Sequence, residues 1–171
     1  LQFSGCDLHP TDGRVVYAGS QDNGTEGRES ANNWKHLDFG DGGFAKIDQN
    51  NPNNLVHTYF NQRNNLLGVG FTDAGFATTM GFYFGSFAPT NGIAIDDRVQ
   101  FYAPIHLDRG NSDTLYYGSN RLWRAPNFFV TGGLGGEFTA MNAAQDLTGG
   151  TIGSGTGGSL TAIEPFANPT P

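Results

Sequence analysis

Cysteine is almost absent from this sequence: Cys6 stands alone among 171 residues. No intrachain disulfide can form, and no cysteine pair can hold zinc. Basic residues are scarce too, with 9 Lys and Arg against 16 Asp and Glu and a formal net charge of −7. They never cluster, so the chain lacks the electrostatic footprint that a phosphate backbone requires, and nucleic acid is not an expected partner. Long apolar runs are missing as well. The richest, Leu66-Leu67-Gly68-Val69-Gly70-Phe71, is interrupted by glycine and falls far short of the ~18 residues of a membrane span. Nor does any segment combine a sustained helical period with capping residues, which argues against a helical fold.

What is abundant points to β-structure. The sequence holds 26 Gly, 14 Phe and 6 Tyr, the balance expected of aromatic strands joined by tight turns. It also repeats itself. Leu8-His9-Pro10-Thr11-Asp12-Gly13-Arg14-Val15-Val16-Tyr17-Ala18-Gly19 aligns without gaps on Leu107-Asp108-Arg109-Gly110-Asn111-Ser112-Asp113-Thr114-Leu115-Tyr116-Tyr117-Gly118, at an offset of 99. Ile47 to Thr58 fits the same template, and a fourth copy begins at Ile163-Glu164-Pro165. With His9, Asp48, Asp108 and Glu164 as equivalent points, the intervals are 39, 60 and 56 residues. These lie around the length of a propeller blade, roughly 40–50 residues.

Each copy reads as a hairpin whose turn is rich in Asp, Asn and Pro. In the third copy the expected strands are 99–107, 114–119, 121–124 and 137–141, and four short strands per repeat are what a blade needs. Pro104 predicts a bulge or an edge in the first of them. The fold expected is therefore an all-β propeller occupying residues 1–171: about three four-stranded blades plus the start of a fourth. The repeats start near 3, 42, 99 and 159, and a flexible Gly-rich connector spans 149–158. That connector is no phosphate loop, because neither a following helix nor a Lys accompanies it. The chain opens at Leu1 without a start Met or signal peptide and closes on Asn168-Pro169-Thr170-Pro171, so both ends look cut. Three blades cannot close a ring. Further blades of the same polypeptide, or self-association, are the expected remedy.

Three phrases carry a family resemblance: Tyr17-Ala18-Gly19-Ser20-Gln21-Asp22-Asn23-Gly24-Thr25, Phe39-Gly40-Asp41-Gly42-Gly43-Phe44 and Ala103-Pro104-Ile105-His106-Leu107-Asp108. They resemble the BNR/Asp-box-like propellers, a superfamily of sortilin-type domains, sialidases and xyloglucanase-type glycoside hydrolases. Secreted members with a Gln-Asp-Asn-Gly turn, a Trp and then Gly-Asp-Gly-Gly are the most similar, and the likeness covers residues 1–125. It implies a secreted or extracellular protein that binds or hydrolyses carbohydrate. A non-catalytic scaffold or protein-binding propeller is the alternative, because propellers host unrelated functions. The sequence departs from the family motif, Ser-x-Asp-x-Gly-x-x-Trp between a blade's third and fourth strands. Ser20 to Gly24 supplies its first five places but directly follows the second strand, and Trp34 lies ten residues past Gly24. The matching turn of the third blade, Ala125-Pro126-Asn127, has no Asp.

Asp22 and Asp41, each in a glycine-containing turn, are the candidate acid and base of glycoside hydrolysis, which needs two carboxyls about 5–9.5 Å apart. The alternative is that each caps its own turn. Gln21, Asn23, Trp34 and Trp123 are candidate ligand contacts, with Tyr83 and Phe84 as further aromatic surfaces, although blade core or packing between blades is the stronger reading of the aromatics. A sialidase would need clustered arginines, and the sequence shows no such motif. His9, His36, His57 and His106 are scattered, and Cys6 and His9 fall on opposite faces of a strand, so no transition-metal site is expected. No cofactor is expected either. Ca2+ is the one ion whose chemistry the Asp48–Asn54 run would suit, but EF-hand spacing is absent and a polar hairpin turn explains the run.

Overall fold

In the computed structural model, residues 2–77, 83–84, 92–129, 136–141 and 145–164 are described. They form three antiparallel sheets of four strands, each with its strands in sequence order. The first contains β1 (Phe3–Leu8), β2 (Val16–Ser20), β3 (Gly24–Ser30) and β4 (Asn33–Asp38). The second contains β5 (Ala45–Ile47), β6 (Leu55–His57), β7 (Gly70–Thr72) and β8 (Tyr83–Phe84). The third contains β9 (Ile105–Leu107), β10 (Leu115–Gly118), β11 (Leu122–Ala125) and β12 (Thr139–Ala140). Among the described residues the only helical turn is a short 3-10 piece at Gly75–Ala77, and no helix is long and apolar enough to cross a membrane.

The sequence repeat is reproduced bond for bond in the first hairpin of each sheet. His9, Asp48 and Asp108 donate their amides to the carbonyls of Val15, Asn54 and Thr114 at 3.1, 3.0 and 2.9 Å. The amides of those three partners return to Asp12, Asn51 and Asn111 at 2.9, 2.9 and 2.8 Å. The side chain at the first position then caps the turn. Asp48 Oδ1 accepts from the amides of Asn50 and Asn51 at 2.8 and 3.1 Å, and Asp108 Oδ1 accepts from those of Gly110 and Asn111 at 2.7 and 3.1 Å. In the first copy His9 Nδ1 takes the same part, accepting from the Thr11 and Asp12 amides at 3.3 and 3.2 Å. An imidazole thus replaces a carboxylate because both put an acceptor over two exposed amides. The second oxygen of Asp48 accepts from Asn54 Nδ2 at 3.0 Å, which leaves this run organised as a hairpin turn.

The third copy shows where strand and connector divide. Its first strand was expected over 99–107 but is hydrogen-bonded only over Ile105–Leu107. Pro104 has no amide to donate. Upstream of it the chain is held by side chains and loops instead: Arg98 N donates to Asn120 Oδ1 at 3.0 Å, Ala103 N to Asn61 Oδ1 at 3.1 Å, and Asn61 N to Phe101 O at 2.6 Å. The Gly-rich stretch also differs from a slack linker. Arg98 donates Nη1 to the carbonyls of Thr151 and Ser154 at 3.0 and 2.9 Å and Nε to that of Gly158 at 3.0 Å, while Arg63 Nη2 reaches Gly153 O at 2.6 Å. Beyond it Ile163 lies close to Gly118, and Glu164 pairs with Arg109 at 2.9 Å. The remainder of the fourth copy, from Pro165, lies outside the described residues.

The sheets stack face to face. Tyr17 of the first meets Ala45, Ile47 and Leu55 of the second in one buried cluster. Val56, Val69 and Phe71 of the second meet Ile105, Leu115, Tyr117 and Trp123 of the third in a larger one. Each junction also encloses a buried aspartate. Asp38, at the end of β4, accepts from His57 Nε2 of β6 at 2.8 Å, and His57 Nδ1 contacts the Tyr17 hydroxyl at 2.7 Å. A carboxylate only accepts, so Nε2 carries the proton and Nδ1 receives the Tyr17 hydrogen. At the next junction Asp97 accepts from Ser119 Oγ at 2.5 Å, Trp123 Nε1 at 2.9 Å and the Arg121 guanidinium. Asp97 is fully buried and Arg121 nearly so. Replacing Asp97 by Ala strands that guanidinium, and an expected loss of about 3–5 kcal/mol of unfolding free energy is checked by denaturant melts. Asp12→Ala, which removes an exposed pair with Arg14 and one bond from the Arg14 amide, serves as the comparison and is expected to move the midpoint far less.

Candidate functional site

Alternation of antiparallel strands places the β2–β3 turn, the β6–β7 loop and the β10–β11 turn at one end of the sheets. The connectors 39–44 and 92–104 arrive at that same end. We call this end the upper mouth. Its geometry begins in the Ser20–Gly24 turn, where Asp22 and Gly24 adopt φ of 60° and 81°. The turn closes through Asn23 N to Ser20 O at 3.3 Å, and Asn23 Nδ2 donates to Gln21 O at 2.8 Å. Gln21, Asp22 and Asn23 are all exposed.

The connector from β4 to β5 lies directly against this turn. Gly42 N donates to Ser20 O at 3.0 Å, and Gly43 N donates across to Thr58 O in the second sheet at 2.9 Å. Glycine is required at position 42, because a Cβ there would come within 2.1 Å of Gly24 O. At Gly40, with φ of 71°, a Cβ would meet the Tyr59 hydroxyl at 2.0 Å. These close approaches deliver Asp41 to Asp22: Asp41 Oδ1 accepts from the Asp22 amide at 3.2 Å and, at a longer 3.5 Å, from the Tyr102 hydroxyl. Asp41 therefore bridges the turn of one blade to the connectors of the next two, which is neither a cap on its own turn nor an unattached carboxylate. Among the described residues the Asp22 side chain accepts no hydrogen bond.

Burial raises the phenol pKa of Tyr102 above its ordinary value, and the Asp41 charge raises it further. Tyr59 is raised in the same way, by burial first and then by Asp41 and Asp38. A ribbon of rings continues from these phenols: Tyr59 to Phe60 at 4.8 Å between centroids, Phe60 stacked on Phe101 at 5.7 Å, and Phe101 edge-on to Tyr102 at 4.9 Å. Phe101 is 49% exposed. Beside it a cavity of about 280 Å³ is lined by Ser4, Phe44, Gln100, Phe101, Tyr102 and Thr161.

The other residues anticipated at the site lie elsewhere. Trp123 is 5% exposed, with Nε1 bonded to Asp97 and Ser119 and the Arg121 guanidinium 4.6 Å above its ring. It packs a junction between blades, so its candidacy as a ligand contact is corrected. Trp34 is half-exposed on β4, where it pairs with Arg28 and stacks on Phe3 at 5.6 Å. Register puts Arg28 at the end of β3 away from the Ser20–Gly24 turn, so Trp34 is not brought to Asp22 and Asp41. Tyr83 and Phe84 form β8, and their side chains lie outside the described residues, as does most of 81–85. Among the described residues no three His, Cys, Asp or Glu side chains gather to hold a metal ion. Sequence reasoning missed Tyr59, Phe101 and Tyr102. The signal was present for Tyr102, which aligns with Phe3 at the same offset of 99 once the repeat is extended toward the N-terminus.

Stacked four-stranded sheets, joined by connectors that run from each outer strand to the next inner one, define a β-propeller. No family model matches the chain, and no curated protein does. Among solved structures, the crystal structure of an ancestral GH74 enzyme is similar, with a TM-score of 0.53 and 12% sequence identity over 72% of this chain. The chain spans only 17% of that structure's length. The likeness establishes the propeller fold.

The contact between Asp41 and Tyr102 has a measurable signature. Replacing Asp41 by Asn removes a negative charge that opposes ionisation of the phenol. The Tyr102 pKa should therefore fall, while staying above that of a free tyrosine because burial, the larger cause, persists. Ultraviolet titration of the variant, with Tyr102→Phe identifying the transition, checks this; an unmoved transition would separate the two residues.

Proposed function

We propose that the upper mouth binds a neutral carbohydrate chain and that Asp22 and Asp41 act on it as the acid and base of glycosidic hydrolysis. The observation that carries this reading is the bond from the Asp22 amide to the Asp41 carboxylate beside an exposed aromatic ribbon and a cavity. Sugar rings present apolar C–H faces to aromatic rings and hydroxyls to carboxylates, so this combination suits them. Distant structural similarity to a GH74 glycoside hydrolase supports the same class of ligand. The charge pattern narrows it further. No basic residue lines the cavity, whereas acidic sugars call for guanidinium partners. Arg63 and Arg98 are bound to the Gly-rich connector and Arg121 to Asp97.

The chemistry follows from the two settings. Asp41 Oδ1 is held by two donors, which fixes its plane and leaves Oδ2 to take a proton from an attacking water. Asp22, on an exposed turn without a bond to its carboxyl, donates a proton to the departing glycosidic oxygen. One C–O bond forms at the anomeric carbon as the other breaks. A protein acting on polysaccharide in this way would work outside the cell.

A binding module without catalysis is the competing reading, and the bridging role of Asp41 favours it, because a carboxylate used as a tether needs no chemistry. Hydrolysis of a panel of neutral polysaccharides, xyloglucan among them, separates the two. We expect Asp22→Asn and Asp41→Asn each to lower kcat by about 10²–10⁴-fold and Phe101→Ala to weaken binding about tenfold. Binding retained with no turnover in the parent protein selects the module. Tighter binding of polygalacturonate than of neutral chains overturns the reading altogether.

A further inference from the structure

The opposite end of the inner strands holds a second cavity, of about 420 Å³. It is lined by Asp7 of β1, Lys46 of β5 and His106 of β9, with Gln49, Asp108 and Arg109 from the hairpin turns. Asp7, Lys46 and His106 occupy one and the same position of the repeat, immediately before Leu8, Ile47 and Leu107. One position has thus been filled with an acid, an ammonium and an imidazole. Conserving a core does not require that choice, since the neighbouring positions Ile47 and Leu107 do the packing.

The acids here are occupied by the fold. Asp7 Oδ2 accepts from the Ile47 amide and Oδ1 from the Leu8 amide, both at 3.0 Å. Asp108 uses Oδ1 on the amides of Gly110 and Asn111, and Oδ2 accepts from the Tyr116 hydroxyl at 3.0 Å. Burial would raise the Asp108 pKa, yet these donors outweigh it and hold the carboxyl below its ordinary value. The basic groups are turned the other way. His106 Nδ1 donates to Leu107 O at 2.6 Å, which aims Nε2 away from the strand. Among the described residues the Lys46 ammonium has neither a hydrogen bond nor an ion pair. One carboxylate already sits at this basic rim: Glu164 places Oε1 2.9 Å from Arg109 Nη2 and Oε2 3.6 Å from His106 Nε2. Its side chain is 62% exposed, so it rests on the rim without being enclosed.

We propose that the lower mouth is a binding site for a small carboxylate, with Lys46 and Arg109 as its donors and Glu164 as a tethered occupant that an external carboxylate displaces. Arg109 offers the planar fork that matches a carboxylate, and Lys46 supplies the second charge from the neighbouring blade. Gln49 adds an amide at the same wall. This site is independent of the upper mouth and of any hydrolysis there.

Succinate is the probe, titrated into the 171-residue chain and followed by calorimetry and by amide chemical shifts. Saturable binding is expected. Lys46→Met and Arg109→Gln should each weaken it about tenfold, Lys46→Arg should preserve it, and Glu164→Gln should strengthen it severalfold by removing the competitor. The amide spectra report whether each variant is folded; if Lys46→Met is not, Lys46→Arg and Arg109→Gln decide the matter. Asp41→Asn at the upper mouth should change nothing. No succinate binding, indifference to the loss of Arg109 and Lys46 charge, or no gain in Glu164→Gln would each overturn the proposal. Sulfate binding tighter than succinate would overturn the assignment to carboxylates.

Discussion

Everything at the upper mouth depends on an aspartate buried at each junction between blades. Asp38 and Asp97 both stand where the chain leaves one blade for the next, and both are grasped by the second hairpin of the blade that follows. A buried carboxylate without donors is costly, so each such residue fixes where the next blade must sit. Two donor sets solve the same problem differently: the first junction uses the imidazole of His57, backed by Tyr17, and the second uses a hydroxyl, an indole and a guanidinium. Burial raises the Tyr17 phenol far above its ordinary pKa, with the Asp38 charge as a second cause, which keeps it a donor to His57. Apolar stacking alone tolerates sliding of one sheet over another. Directed bonds from a buried acid do not.

From that constraint the placement of the carboxylate pair follows. Asp38 holds the beginning of the 39–44 connector against β6, and Thr58 holds its end through the amides of Gly43 and Phe44. Between these anchors only glycines let the chain lie flat on the Ser20–Gly24 turn, and Asp41 has no choice but to face Asp22. The third blade repeats the device: Asp97 lies within the 92–104 connector, whose later residue Tyr102 reaches the same mouth. Acids and rings therefore converge because two connectors and the β6–β7 loop end together, although they are far apart in sequence.

This also explains how much could be read beforehand. The hairpin turns were legible, since His9, Asp48 and Asp108 are local caps whose spacing survives in the sequence. The all-β architecture and its blades were legible for the same reason. Asp22 and Asp41 were foreseen as a candidate pair beside the alternative that each caps its own turn, because their approach depends on which ends of the hairpins coincide, and strand count decides that. The role of Trp123 was open in sequence: an indole with polar neighbours suits a packed junction, the stronger reading, or a sugar platform, and Asp97, 26 residues away, distinguishes them. The role of His57 left no signal, since a histidine replacing Ala18 and Tyr117 in the repeat looks like drift until Asp38 is seen beside it. Arg98 and Arg63 were unreadable too, because their partners are backbone carbonyls, which have no sequence signature.

Under the proposed reading, the bridging position of Asp41 joins positioning and chemistry in a single side chain. Its Oδ1 joins the first blade's turn to a tyrosine from the connector ahead of the third blade, so protonating it, or moving it to meet a substrate, would loosen the walls that define the site. A carboxylate in that situation serves best when Oδ1 keeps its bonds, so that its orientation stays constant, and only the unbonded oxygen takes the proton of the attacking water. Asp22 has the complementary freedom. Its backbone is fixed by the left-handed turn and by Asp41, yet its carboxyl is exposed, and it can exchange a proton without disturbing any contact of the fold. The division of labour proposed for the two acids thus rests on how each is tied to the blades.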